Sequence, residues 1–252
     1  MIPREHGAWM MLYAPFLIGA ARGGVWGSGV LWALLLVSGG YCAREPLSVW
    51  FTRKNRRSAA SRWFAGFAGL AFVGAAGLAT HERRVELATL TLLGGALFLT
   101  HFTLERRREH RGFTGELLGV AGLTLTAPLG YFAAEGTDRT WAILLWFLNL
   151  LYFGSSIVYV KWRVARLVAE RRGESSRQGL GALIGYHAVL LVAVVGLAVV
   201  DVVSGWVFVA FAPLAFRYGL RAVVRQTPTL TQVGISEIVL SLAFVAAMLR
   251  VV

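Results

Sequence analysis

Positive charge in this chain is confined to every second gap between apolar segments, and that alternation restricts it to one kind of fold. Of 25 Lys and Arg residues, twenty lie in alternate gaps. Arg53, Lys54, Arg56, Arg57 and Arg62 fill the first, Arg106, Arg107, Arg108 and Arg111 the second. Lys161, Arg163, Arg166, Arg171, Arg172 and Arg177 fill the third, and Arg217, Arg221 and Arg225 the fourth, with Arg4 and Arg44 on the same side. The remaining gaps and the C-terminus hold Arg22, Arg83, Arg84, Arg139 and Arg250. Basic loops stay cytoplasmic, so the pattern predicts a polytopic membrane bundle with its N-terminus inside and its C-terminus outside.

Composition agrees. Hydrophobic residues make up 57% of the chain and charged ones only 15%, against roughly half and a quarter in soluble domains. The net charge of +12 sits in short loops beside apolar spans, where anionic lipid headgroups are its natural partner; no nucleic acid is needed to explain it. A lone cysteine, Cys42, excludes an internal disulfide and a multi-cysteine metal site. No cleavable signal is evident, and residues 1–21 are expected to stay in the mature protein.

Roughly 20 residues cross a bilayer as a helix. Nine spans fit, at about 7–21, 25–43, 63–79, 87–104, 115–134, 140–160, 180–200, 204–224 and 233–251, forming a single all-α integral membrane domain over 1–252 of the inner membrane. The stretch from Arg163 to Gln178 reads as a cytoplasmic helical extension and loop. Glycine-rich runs such as GFAGLAFVGAAG, Gly66 to Gly77, read as packing faces. Pro15, Pro128 and Pro213 fall mid-span, where each removes a backbone donor and kinks its helix.

Ionisable residues in membrane segments are expensive, so their placement points to function. Alternating the span directions brings Glu5, His6, Arg44, Glu45, His101, Glu105, Glu116, Lys161, His187, Arg217 and Glu237 toward the cytoplasmic end. In the sixth span Asn149, Tyr152, Ser156 and Tyr159 recur at i, i+3, i+7 and i+10 and share one helical face. That stripe is either the wall of a headgroup-sized pocket or a set of interhelical hydrogen bonds. Arg44 is the first choice as an anion anchor, because a guanidinium grips phosphate or carboxylate with two donors; pairing with a nearby acid is the competing account, and Glu45 would serve. Glu5, His6, His187 and Glu237 are the groups able to move a proton, against helix-end stabilisation for the acids and a satisfied core position for His187. There is no GxxxxGK[ST], HExxH, CxxC or GxSxG, the residues on which nucleotide hydrolysis, zinc proteolysis, thiol redox and serine hydrolysis depend.

At REHGAW, at REPL from Arg44, at GELLGVAGLTLTAPLGYF from Gly115, at LWFLNLLYFGSSIVYVKWR from Leu145 and at VGISEIVLSLAF from Val233, the chain resembles the YwiC-like family of bacterial membrane proteins. That resemblance implies topology and leaves activity open. In plan, with nine spans and polar elements at the cytoplasmic ends of spans two and six, it also resembles the UbiA-type prenyltransferases. Those enzymes place aspartate-rich motifs at the two ends to hold Mg²⁺ against a diphosphate. The matching stretches here, YCAREPLSVW and YFGSSIVYVK, contain no aspartate, and Asp138 and Asp201 both fall on the outer side. No metal ligand is carried over, and no cofactor is assigned.

The expected activity is binding or modification of an anionic lipid or isoprenoid in a cytoplasm-facing pocket. Arg44, Lys161 and Arg217 would hold the head group, and Glu45, Asn149, Tyr152, Ser156 and Tyr159 would line the wall. The alternatives are transport of a small anion, with or without protons, and a non-catalytic role in a membrane assembly. Topology has a direct check: a cysteine introduced between residues 134 and 140 should react with an impermeant maleimide in intact cells, and one between 173 and 178 only after permeabilisation.

Overall fold

The computed structural model describes residues 1, 3, 6–106, 112–172, 179–223 and 230–251. Among them are ten α-helices and no strand: α1 (His6–Gly23), α2 (Ser28–Thr52), α3 (Arg57–Ala79), α4 (Arg84–Arg106), α5 (Phe113–Thr124), α6 (Thr126–Ala133), α7 (Arg139–Arg171), α8 (Leu180–Val199), α9 (Trp206–Val223) and α10 (Leu230–Val251). A 3₁₀ turn, Lys54–Arg56, joins α2 to α3. Each expected span coincides with one helix, except the fifth, which is α5 followed by α6. Six stretches of the described residues are long and apolar enough to cross a membrane: Lys54–Ala79, Arg84–Glu105, Gly115–Ala133, Arg139–Ala169, Leu180–Val199 and Gly234–Val251. The chain is an all-α, multi-pass membrane protein.

Two helices run past their expected ends. The α2 helix continues through Arg44, Glu45 and Pro46 to Thr52, where the Thr52 hydroxyl donates to the Ser48 carbonyl and the Arg53 amide to Val49. With 33 residues, α7 is about 50 Å long, well beyond a hydrocarbon core of about 30 Å, so the extension expected after Arg163 is continuous with the span.

Pro128 accounts for the break between α5 and α6. Without an N–H it cannot bond the Thr124 carbonyl four residues earlier, and the helix is interrupted at Leu125. Two buried threonines flank the break. The Thr124 hydroxyl donates to the Val120 carbonyl at 2.9 Å, and that of Thr126 reaches across to the Leu12 carbonyl of α1 at 2.7 Å. The α1 and α9 helices remain continuous through Pro15 and Pro213.

The helices gather into two compact units, Met1–Ala96 with Leu125–Trp146, and Leu97–Thr124 with Phe147–Val252. In the first, backbones approach closely where glycine allows it. On α1, a Cβ at Gly19 would collide with the Ala127 backbone of α6, and one at Gly23 with the Tyr131 and Ala134 carbonyls; Gly130 returns the same contact against Phe16. On α2, Gly39 meets the Ala71 and Phe67 backbone of α3, and Gly74 of α3 meets Leu36 and Trp32. Small residues are what permit this, because lipid supplies little hydrophobic drive for helix to meet helix. Of the glycines in the run on α3, Gly74 and Gly77 are in contact, whereas Gly66 and Gly69 have nothing within 4 Å of an added Cβ.

Between α6 and α7 the chain turns through Glu135 at φ 68°. The Gly136 amide donates to Tyr131, and Asp138 caps α7 by accepting from the Thr140 amide at 2.7 Å. Arg139 pairs with Glu86 of α4 at 3.0 Å.

Overpacking at the tight crossings should destabilise where open glycines do not. Gly39→Leu and Gly74→Leu are each expected to cost about 1–3 kcal/mol or more, while Gly69→Ala should be neutral or gain up to about 1 kcal/mol from helix propensity. Thermal unfolding in detergent measures the difference.

Candidate functional site

The polar stripe expected in the sixth span is present in the second unit, buried along α7. Asn149, Tyr152 and Tyr159 are fully enclosed and Ser156 is nearly so. Of the two bases to which the stripe leads in the sequence, Lys161 and Arg163, helical register carries the same face to Arg163, which is only 5% exposed. The spacing that links Asn149 to Ser156 and Tyr152 to Tyr159 also links Ser156 to Arg163, so this residue was within reach of sequence reasoning.

Lys161 falls on the opposite side of α7, about 200° from Tyr159 at 100° per residue. It pairs there with Glu116 in the first turn of α5, Nζ to Oε2 at 3.1 Å, each side chain about a third exposed at 33% and 32%. The structure thus separates Lys161 from the stripe and joins it to an acid at the start of α5.

Three helices close around the stripe. Tyr152 stacks on Phe244 of α10, ring centroids 3.7 Å apart and planes 14° from parallel, and meets Phe211 of α9 edge-on at 6.0 Å. Glu237, Ser241, Phe244 and Met248 recur at i, i+4, i+7 and i+11, so the α10 face that brings Phe244 to Tyr152 is the one that carries Glu237. Ser241, Phe244 and Met248 are buried. From α8, the Tyr186 ring crosses α7 at Gly154, where a Cβ would strike its hydroxyl, and that hydroxyl donates to the Leu151 carbonyl at 3.0 Å. Val158, Tyr159 and Leu183 form an adjoining apolar cluster with Trp162 and Tyr186.

His187 lies half-buried beside Tyr186, its Nδ1 2.7 Å from the Leu183 carbonyl one turn earlier. Because a carbonyl only accepts, Nδ1–H is the donor in this bond. The His101 ring covers Gly119 of α5, where a methyl would stand 3.1 Å from it.

Arg44 and Glu45 stand on α2 in the first unit, Arg44 half-buried and Glu45 exposed. The preceding turns of α2 meet α1 through aromatics: Tyr41 lies edge-on to Trp9 at 4.8 Å, Trp9 stacks on Tyr13, and Tyr13 hydrogen-bonds Ser38 at 2.8 Å. Glu5 lies outside the described residues, as do the side chains of His6, the first residue of α1, and Arg217 in α9.

The profile described as YwiC-like protein matches residues 2–131, just over half of the chain. The chain belongs to the YwiC-like family. A protein of Bacillus subtilis (strain 168), "Uncharacterized protein YwiC", is 29% identical over 259 residues, covering 98% of this chain and 96% of that protein. No solved structure matches. The YwiC-like profile takes in α1 to most of α6, including Arg44 and Glu45; the polar face of α7 lies beyond it but inside the alignment with the Bacillus protein.

In this YwiC-like bundle the Tyr186 crossing should behave as a coupled pair. Gly154→Ala is expected to cost about 1–3 kcal/mol by overpacking and Tyr186→Phe about 1 kcal/mol. The double variant should be less destabilised than the sum, because removing the hydroxyl makes room for the methyl. Thermal unfolding of all three in detergent tests the cycle.

Proposed function

We propose that this YwiC-like protein lies in the bacterial inner membrane, basic loops in the cytoplasm, and binds the anionic head group of a lipid or isoprenoid at the cytoplasmic end of α7, without a magnesium–aspartate clamp. The observation that carries this reading is the buried Arg163 at the end of a buried polar face. A charge buried among side chains at the end of a membrane span is costly and is retained where it does work. A guanidinium suits a phosphate or carboxylate because its donors form a planar fork. Ser156 and Tyr159, the nearest polar residues of the same face, would offer hydroxyls to the remaining oxygens. Arg217 of α9 would add charge from a second helix, and Glu237 and His187 are the groups of this unit able to exchange a proton.

Lipid identified by mass spectrometry after mild purification tests the reading. Wild-type protein should retain an anionic amphiphile. Arg163→Gln should lower retention roughly tenfold or more, as loss of a charged hydrogen bond of about 1.5–3 kcal/mol implies. Arg163→Lys should fall between the two, and Lys161→Gln, altered on the opposite face, should retain the lipid. A purified protein free of anionic amphiphile, or an Arg163→Gln variant that holds it undiminished, refutes the assignment.

One observation favours transport as a second reading: the break at Leu125 lies in mid-span, and interrupted helices offer backbone groups to ions near the bilayer midplane. Uptake of an anion into proteoliposomes, lost in Arg44→Gln, would put that reading first.

A further inference from the structure

The first three turns of α3 carry a groove on the helix surface that the polar face of α7 does not explain. Arg62, Trp63, Gly66, Phe67 and Leu70 line it. Their spacing sets all five in one stripe, about 12 Å long at 1.5 Å per residue, against roughly 15 Å for the hydrocarbon of one leaflet. Trp63 and Phe67 stack, centroids 5.6 Å apart, and form a wall. Gly66 is the floor, with nothing within 4 Å of where its Cβ would stand.

An apolar channel that ends in a cation matches a phospholipid, acyl chain below and phosphate above. The cation has company. Arg53, Lys54, Arg56 and Arg57 lie in the turn just before, all exposed, and no acid occurs between Glu45 and Glu82. The turn is held in place: Arg57 donates its Nε–H to the Trp50 carbonyl at 3.1 Å and lays its guanidinium over the Trp50 ring at 5.2 Å. Charge complementarity selects an anionic occupant over a zwitterionic one. It also disfavours a second copy of this chain, because a two-fold contact through α3 would set these five bases against five more.

We infer that this surface of α3 is a site for one anionic phospholipid, its phosphate held by Arg62 and the basic turn and an acyl chain laid along Trp63, Gly66, Phe67 and Leu70. The site is independent of the α7 face and of any activity there.

Thermal unfolding of the full chain in a neutral detergent, with phosphatidylglycerol or phosphatidylcholine added, tests it. Phosphatidylglycerol should raise the midpoint more than phosphatidylcholine. Gly66→Leu, whose Cβ enters open space, and Arg62→Gln, at an exposed position, should each cut that increment to the phosphatidylcholine level, Arg62→Gln with the lipid-free midpoint unchanged and Gly66→Leu with it unchanged or raised by helix propensity. Arg84→Gln, at an exposed base in the first turn of α4, should keep the full increment. Equal response of the wild type to both lipids, an undiminished increment in Arg62→Gln, or loss of the increment in Arg84→Gln instead would overturn the assignment.

Discussion

In hydrocarbon a backbone N–H or C=O without a partner costs several kcal/mol, and every other feature of this protein follows from meeting that demand. Helices meet it residue by residue, which is why even the proline-bearing α1, α2 and α9 stay helical. Beside the break at Pro128, Thr124 bonds back within its own helix, and Thr126 donates to the Leu12 carbonyl and so ties α6 to α1.

Once each helix satisfies its own backbone, assembly depends on shape. Gly19, Gly23 and Gly130 bring α1 against α6, and Gly39 with Gly74 brings α2 against α3. In the second unit a single glycine, Gly154, admits the Tyr186 ring and lets its hydroxyl reach a carbonyl of α7. These contacts leave no room for a methyl, so they also define register: a helix that slides by one residue presents a side chain where the neighbour's backbone stands.

Polar side chains divide by the same logic. Asp138, Arg139 and Glu86 serve chain geometry, a cap and an ion pair at the ends of the apolar stretches. Lys161 and Glu116 neutralise one another at a half-exposed site. The buried face from Asn149 to Arg163 carries the proposed binding role, because it collects polar groups on one side of a single helix. Helical register made most of that face legible in the sequence, since Asn149, Tyr152, Ser156 and Tyr159 are spaced to coincide. Lys161 drew attention by its charge and its nearness to the stripe, but two residues turn a helix by about 200°, and the base that continues the face is Arg163.

The amino-acid sequence by itself determined that this chain is helical and where its long apolar segments fall, because hydropathy is read position by position along the chain. It could not determine which faces meet. That Gly74 packs while Gly66 lies open, that the fifth span breaks at Leu125 with a threonine bridging to α1, that Lys161 finds Glu116, and that Tyr152 lies on Phe244 are decided by contacts between segments distant in the chain. Tertiary structure alone settles them, because the rotation of a helix about its axis is set by close packing against its neighbours.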